Sequence, residues 1–234
     1  MKLNVSKCSV VRFTKKKQPL LTDYCMEQIP LSIVSEYKYL GVVINSTLSW
    51  NDHVRRVSVK ASRVLNFLRR NFRTAPFVLK QVLYVSNVRP ILEYACTAWD
   101  PATKVNIDAL ERIQKRAARF VTGDYNFTRR SSEIVSALGW PLLSSRRKYI
   151  RLCLFYNIIN DKTGIDKNKY IKPPAYISSR RDHSLKVREY NCRTSAFANT
   201  FFPKTIHEWN SLPSSIVTAP NTAFPSLLKE YVVT

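Results

Sequence analysis

The side chains best placed to do chemistry in this sequence are cations. Arg55, Arg56, Lys60, Arg63, Arg69, Arg70 and Arg73 fall within one short stretch, and Arg112, Lys115, Arg116 and Arg119 within another. Guanidinium and ammonium groups donate charge-assisted hydrogen bonds to phosphate oxygens, so such runs suit a polyanion. The first run has almost no acids to pair with it, and like charges repel along a helix unless an anion lies across them. A solvated surface is the plainer reading of any single run. Carboxylate chemistry is disfavoured: Asp23, Asp52, Asp100, Asp108, Asp124, Asp161, Asp166 and Asp182 stand apart, with no Asp-Asp pair to hold paired divalent ions. No GxSxG setting surrounds a serine, and the four glycines are too scattered for a phosphate-cradling loop. The expected catalytic and metal-ligand sets are therefore both empty.

Ser35 to Phe72 must position the first run. Tyr39–Leu40–Gly41–Val42–Val43–Ile44 is densely apolar and β-branched, which predicts a strand. Ser49 or Asn51 then offers a helix N-cap, with Asp52 in the first turn, where a negative charge suits the dipole. Val54, Val57, Ala61, Val64, Leu65, Leu68 and Phe72 follow at spacings of three and four, within an arc of roughly 100°. The cations all fall outside that arc. Thr74 and Pro76 mark a second helix, carrying Phe77, Val82, Leu83 and Val85, which Pro90 should end or kink before Ile91–Trp99 resumes it. A third, near Val105–Val121, sets Ile107, Leu110, Ile113, Ala117 and Phe120 against Arg112, Lys115, Arg116 and Arg119, and Gly123 stops it.

Upstream, Cys8–Phe13, Tyr24–Gln28, Leu31–Val34 and Lys38–Ile44 read as short strands, broken by Thr14–Lys17, Pro19 and Pro30; a small antiparallel sheet covered by the following helix is expected. Downstream, Asp124 to Leu143 reads as short helix and loop. Ser144 or Ser145 caps a helix to about Asn160, whose Arg146, Arg147, Lys148 and Arg151 make a basic start. Residues 170–193, with Pro173–Pro174, Ser178–Ser179 and basic residues from Arg180 to Arg193, read as an extended linker or mobile loop. Two short helices, Ser195–Trp209 with a break at Pro203 and Thr222–Tyr231, end the chain. The fold class is α+β, mainly α.

The 234 residues carry a formal charge of +22, with 45% hydrophobic and 12% aromatic content, which argues against general disorder. That charge points to nucleic acid, or less specifically to an anionic membrane surface. No apolar run approaches the roughly 18 residues of a spanning helix. Absence of a signal-like segment predicts an intracellular protein, cytoplasmic or nuclear. Five scattered cysteines without a CxxC pair, and three histidines at no zinc-finger spacing from them, predict reduced thiols and no structural zinc. Trp50, Trp99, Trp140 and Trp209 sit at element boundaries and read as packing anchors, with base stacking as the alternative.

YKYLGVVINSTLSWNDHV resembles the segment of non-long-terminal-repeat retrotransposon reverse transcriptases, the jockey-like and related LINE elements, in which the last palm strands pass into the thumb. LNVSKCSVVRFTKK, VRPILEYACTAWDP and FFPKTIHEWNSLP fit the same family in order across nearly the whole chain. The resemblance implies a palm remnant over residues 1–50, a thumb-like bundle over 51–123 and a C-terminal helical extension over 124–234. It makes Tyr39, Leu40 and Gly41 primer-grip-like. It also makes Arg56, Lys60, Arg63, Arg70, Arg112, Lys115, Arg116 and Arg119 candidate contacts to the RNA and DNA backbone of a template–primer. Lys7 is similar in position to a lysine that protonates pyrophosphate, although a surface lysine is the simpler reading. The family's Asp-Asp turn is missing, and LNVSKC resembles the segment that follows it. The expectation is a C-terminal fragment of a polymerase, inactive alone, with Mg²⁺ belonging to the complete enzyme and the upstream palm of the same polyprotein as a partner. The alternative is a freestanding basic RNA-binding or assembly protein derived from a mobile element.

Overall fold

The structure, a computed structural model, describes residues 4–14, 16–18, 22–126, 128–178, 180 and 182–233. Leu3, Lys15, Pro19, Ser179 and Arg181, which the sequence reading uses, lie outside the described residues. The apolar run 39–44 is not one strand but the turn of a hairpin. Leu40 and Gly41 both take positive φ, 46° and 86°. Two such residues between strands make the tight turn whose twist matches an antiparallel pair. β5 (Glu36–Tyr39) therefore pairs with β6 (Val42–Asn45), Tyr39 opposite Val42. Gly41 is needed twice over, because a Cβ there would also lie 3.1 Å from the ring of Tyr94.

The expected single antiparallel sheet is instead three separate strand pairs. β2 (Cys25–Met26) and β3 (Ile29–Pro30) form a second antiparallel pair. β1 (Ser9–Val11) runs parallel to β4 (Ser32–Val34). A parallel pair needs a crossover between its strands, and here the intervening chain contains the β2–β3 hairpin. Short-range periodicity carries no information about that pairing.

α1 (Asn51–Asn71) begins one residue after Trp50, with Ser49 Oγ accepting the Asn51 N–H at 3.3 Å. Its apolar stripe enters the core as the spacing requires: Val54, Ala61, Leu65 and Leu68 are buried, and Val57, Val64 and Phe72 pack beside them. α2 (Phe77–Leu83) has Pro76, not Thr74, at its N-cap. Proline 90 has no N–H and its ring crowds the preceding turn; the chain widens into a π turn over Tyr84–Val88 before α3 (Arg89–Glu93). The expected Ile91–Trp99 helix then breaks, because Ala95 adopts φ 51°. The break frees Tyr94 to reach the hairpin, its hydroxyl donating to Leu40 O at 3.0 Å. It also lets Trp99 Nε1 donate to Tyr94 O at 2.7 Å. α4 (Cys96–Trp99) follows, then α5 (Lys104–Thr122), stopped by Gly123 at φ 72°. α1, α3, α4 and α5 share one core in which Trp99 is fully buried.

α6 (Ser131–Ala137) covers α5 and buries Ile134 and Val135. α7 (Leu143–Ile159) starts at Leu143 without a serine side-chain cap. Its first turn lies in the first core and its second half in another, formed with α9 (Phe201–Asn210), α10 (Ser214–Val217) and α11 (Phe224–Val233), while the short α8 (Ser195–Ala198) before them buries no residue. The expected break at Pro203 falls earlier, between Ala198 and Phe201, and the proline occupies the first turn of α9, where its missing N–H costs nothing. The described residues of 170–193 hold no helix or strand, yet several are tied down. Trp209 Nε1 donates to Leu185 O at 3.0 Å, and Asn210 takes the Val187 N–H at 3.0 Å while donating to Val187 O at 2.7 Å.

The basic start expected for α7 is not a surface. Arg146 pairs with Glu93, and Arg147 and Arg151 are buried against Asp100. Two acids 47 or more residues away in sequence draw these cations inward, which no local pattern reveals.

Candidate nucleic-acid interface

Because the apolar arc of α1 is fully used in the core, its cations are forced outward. Lys60, Arg63 and Arg70 are exposed, and none has a carboxylate within ion-pair distance among the described residues. Arg56 is exposed as well, but its guanidinium bridges to Glu36 on β5, and Arg55 pairs with Asp52 at 3.1 Å. Exposed pairs of this kind are worth at most about 1 kcal/mol and yield readily to a stronger anion.

On α5 the candidates separate. Arg112 is exposed and Lys115 half-buried. Arg116 turns inward across the helix–helix contact, donating to Asn66 Oδ1 at 2.9 Å. Arg119 organises the loop after Gly123. Its Nη1 donates to Asp124 O at 3.1 Å and Asn126 O at 3.0 Å, its Nη2 to Arg129 O at 2.8 Å, and its Nε to Ser131 Oγ at 3.0 Å. A basic residue opposite an apolar face was legible in the sequence; that its charge is used internally was not.

A cleft of about 840 Å³ opens where α1, α2 and the end of α5 meet. Arg69, Arg70, Arg73 and Lys80 line it together with Phe120 and Tyr125, and no acid is among its lining residues. Arg69 lies 5.6 Å from the centroid of the Tyr125 ring, and Lys80 the same distance from that of Phe120. Lys80 and Tyr125 went unmarked in the sequence. The available signal was an aromatic in a polar loop immediately beyond a helix-ending glycine.

The Leu40–Gly41 turn, for which the resemblance implied a primer grip, lines a second cleft of about 420 Å³ beside Arg56, Lys60, His53 and Tyr94. Tyr39 is exposed and does not line it. Close approach to Gly41 is made by Tyr94. His53 is buried, and desolvation brings its pKa down from 6.5 to about 4. The Val43 N–H donates to His53 Nδ1 at 3.1 Å, so the neutral ring carries its proton on Nε2. Lys7 is exposed at the end of a single 3₁₀ turn, its carbonyl accepting from the Tyr37 hydroxyl at 3.0 Å. The tryptophans are packing residues: Trp99 and Trp209 are fully buried, and Trp140 stacks on Tyr84 with ring centroids 4.3 Å apart.

The donor chemistry does not fit a pair of divalent ions. Among the described residues no three His, Cys, Asp or Glu side chains gather. Asp52, Asp100, Asp124, Asp161 and Asp182 are each held by a basic partner. No helix of the described residues is long and apolar enough to cross a membrane.

No protein-family model matches the chain, and no solved structure matches it. Among curated proteins it is 28% identical over 133 residues to the probable RNA-directed DNA polymerase from transposon X-element of Drosophila melanogaster. It is 29% identical over 126 residues to the corresponding protein from transposon BS of the same species. The chain is similar to transposon RNA-directed DNA polymerases over about half of its length. The matches cover 56% and 52% of this chain but 14% of each polymerase's length. Over those residues this similarity agrees with the family resemblance read from the sequence.

Proposed function

We propose that this relative of transposon RNA-directed DNA polymerases grips the phosphate backbone of RNA and DNA, in the manner of a polymerase thumb, and does not itself join nucleotides. The observation that carries this reading is the outer face of α1, where Lys60, Arg63 and Arg70 stand exposed with no carboxylate partner among the described residues. A helix holding that much unneutralised charge is stabilised by an anion lying across it. Nucleotide addition would need carboxylates that converge on two metal ions, and the sequence offers only isolated aspartates. In a complete polymerase, Mg²⁺ and its ligands would come from residues other than these.

The experiment is binding to a labelled RNA–DNA duplex of scrambled sequence over a range of salt. With about six phosphate contacts, affinity falls by roughly 10³ between ~50 and ~200 mM salt. Replacing Lys60, Arg63 and Arg70 together by Ala lowers affinity for every duplex sequence alike and flattens the salt slope by about three. Unchanged affinity in that triple variant rejects the reading. Template-dependent primer extension by the purified chain rejects its non-catalytic half.

A further inference from the structure

We propose that the cleft at the end of the bundle is a single-strand site, in which Tyr125 stacks a base while Arg70, Arg73 and Lys80 hold the adjoining phosphates. The proposal rests on the backbone-binding reading above and extends it to a different strand geometry. A duplex presents phosphates to an outer helix face but hides its bases in the stack. A single strand offers both, and proteins that hold one combine a cationic groove with an aromatic platform.

Three observations converge on Tyr125. The ring is exposed, at 48%, whereas Trp99 and Trp209 are sealed in the cores. It stands in a cleft bordered by four cations and no acid. Its loop is also preorganised. Arg119 takes the carbonyls of Asp124 and Asn126, the two residues that flank Tyr125, and Asp124 both accepts the Asn126 N–H at 3.0 Å and pairs with Arg129 at 3.1 Å. Arg119 is thus a positioning residue for the platform. Arg69 covers one side of the ring in cation–π fashion.

The charge arithmetic favours an anion. α1 and α5 both end here, and each helix C-terminus brings about half a negative charge. Four side-chain cations outweigh the two together. Arg69 and Arg70 stand in the last turn of α1 and Arg73 just beyond its end, so a strand entering the cleft meets all three cations. Phe120 is buried beneath Lys80, whose ammonium lies 5.6 Å from the ring centroid.

The test uses fluorescence anisotropy of the full chain with three labelled probes: oligouridine, oligothymidine and a blunt RNA–DNA duplex. Tyr125→Leu, which keeps an apolar side chain but removes the aromatic face, weakens binding to at least one single strand by roughly 5- to 150-fold and leaves the duplex within about twofold. Tyr125→Phe restores single-strand affinity. Equal single-strand affinity in Tyr125→Leu and the parent chain overturns the proposal, as does an equal loss on all three probes. If the parent chain binds the duplex but neither single strand, the single-strand site fails while the backbone reading stands. If it binds none of the three, the backbone reading fails first. Circular dichroism of Tyr125→Leu checks that the helices persist.

Discussion

Asp100 holds three cations, Arg147 and Arg151 of α7 and Lys204 of α9, where the two cores join, and Asp100→Asn measures what that contributes. Its Oδ1 accepts from Arg147 Nε at 2.8 Å, and its Oδ2 accepts from Lys204 Nζ at 2.6 Å and from Arg151. Arg151 has a second acid, Glu208, at 2.5 Å. Arg147 has none, and its two terminal nitrogens are buried without a partner among the described residues. An asparagine of the same shape would strand the Arg147 charge in a fully buried site. Breaking a buried pair from one side costs about 3–5 kcal/mol, a large part of the 5–15 kcal/mol that holds a typical domain folded. For a chain of this size the midpoint of thermal unfolding would drop by roughly 6–20 °C. Urea unfolding at pH 7, followed by tryptophan fluorescence, reads the loss directly. Burial pushes the Asp100 pKa upward, but the charges of Lys204 and Arg151, with hydrogen bonds from Lys204 and Arg147, outweigh it and hold the carboxyl below its ordinary 3.8. A carboxyl depressed in the fold stabilises fully above its unfolded value and loses that contribution as pH falls through its folded one. The gap between the parent chain and Asp100→Asn should therefore stay constant from pH 7 to about 5 and close below 3.8. Adding Arg147→Met to Asp100→Asn should recover part of the loss, since the stranded charge is gone. A loss under about 1 kcal/mol at pH 7, or a gap that does not shrink as pH falls below 3.8, would refute the argument.

Two further outcomes follow from the hairpin and the helix that covers it. Gly41→Ala places a Cβ at φ 86° and 3.1 Å from Tyr94, so it should destabilise by about 1–2 kcal/mol in urea unfolding; a neutral result would mean the turn relaxes freely. His53 is kept neutral by desolvation, with its pKa lowered from 6.5 to about 4, so the unfolded chain takes up a proton there first as pH falls. Stability should thus be complete above 6.5 and decline between 6.5 and 4, by on the order of 3 kcal/mol in all, a decline that His53→Asn should lack. Identical pH slopes for the two proteins across that window would place the sensitivity elsewhere.

Much of the bundle was readable because α1 and α5 are long enough for a stripe to repeat. The apolar positions of α1 enter the core as spaced, and Gly123 ends α5 in the left-handed conformation that glycine favours. Shorter elements were less readable. The run 39–44 contains no local mark separating one strand from a hairpin, beyond a single glycine whose role depends on Tyr94, more than 50 residues away. The α5 cations look alike in sequence, yet Arg112 faces solvent while Arg116 and Arg119 hold protein groups.

Sequence alone determined the net charge, the absence of an Asp-Asp pair, and the helices whose apolar faces had to turn inward. These depend on composition or on neighbours one turn away, where the chain's own periodicity is the cause. Tertiary structure alone decided which cations remain free. Whether an arginine meets Asp100, a loop carbonyl or open solvent depends on groups brought close from distant parts of the chain, and a charge has no periodicity by which to announce its partner.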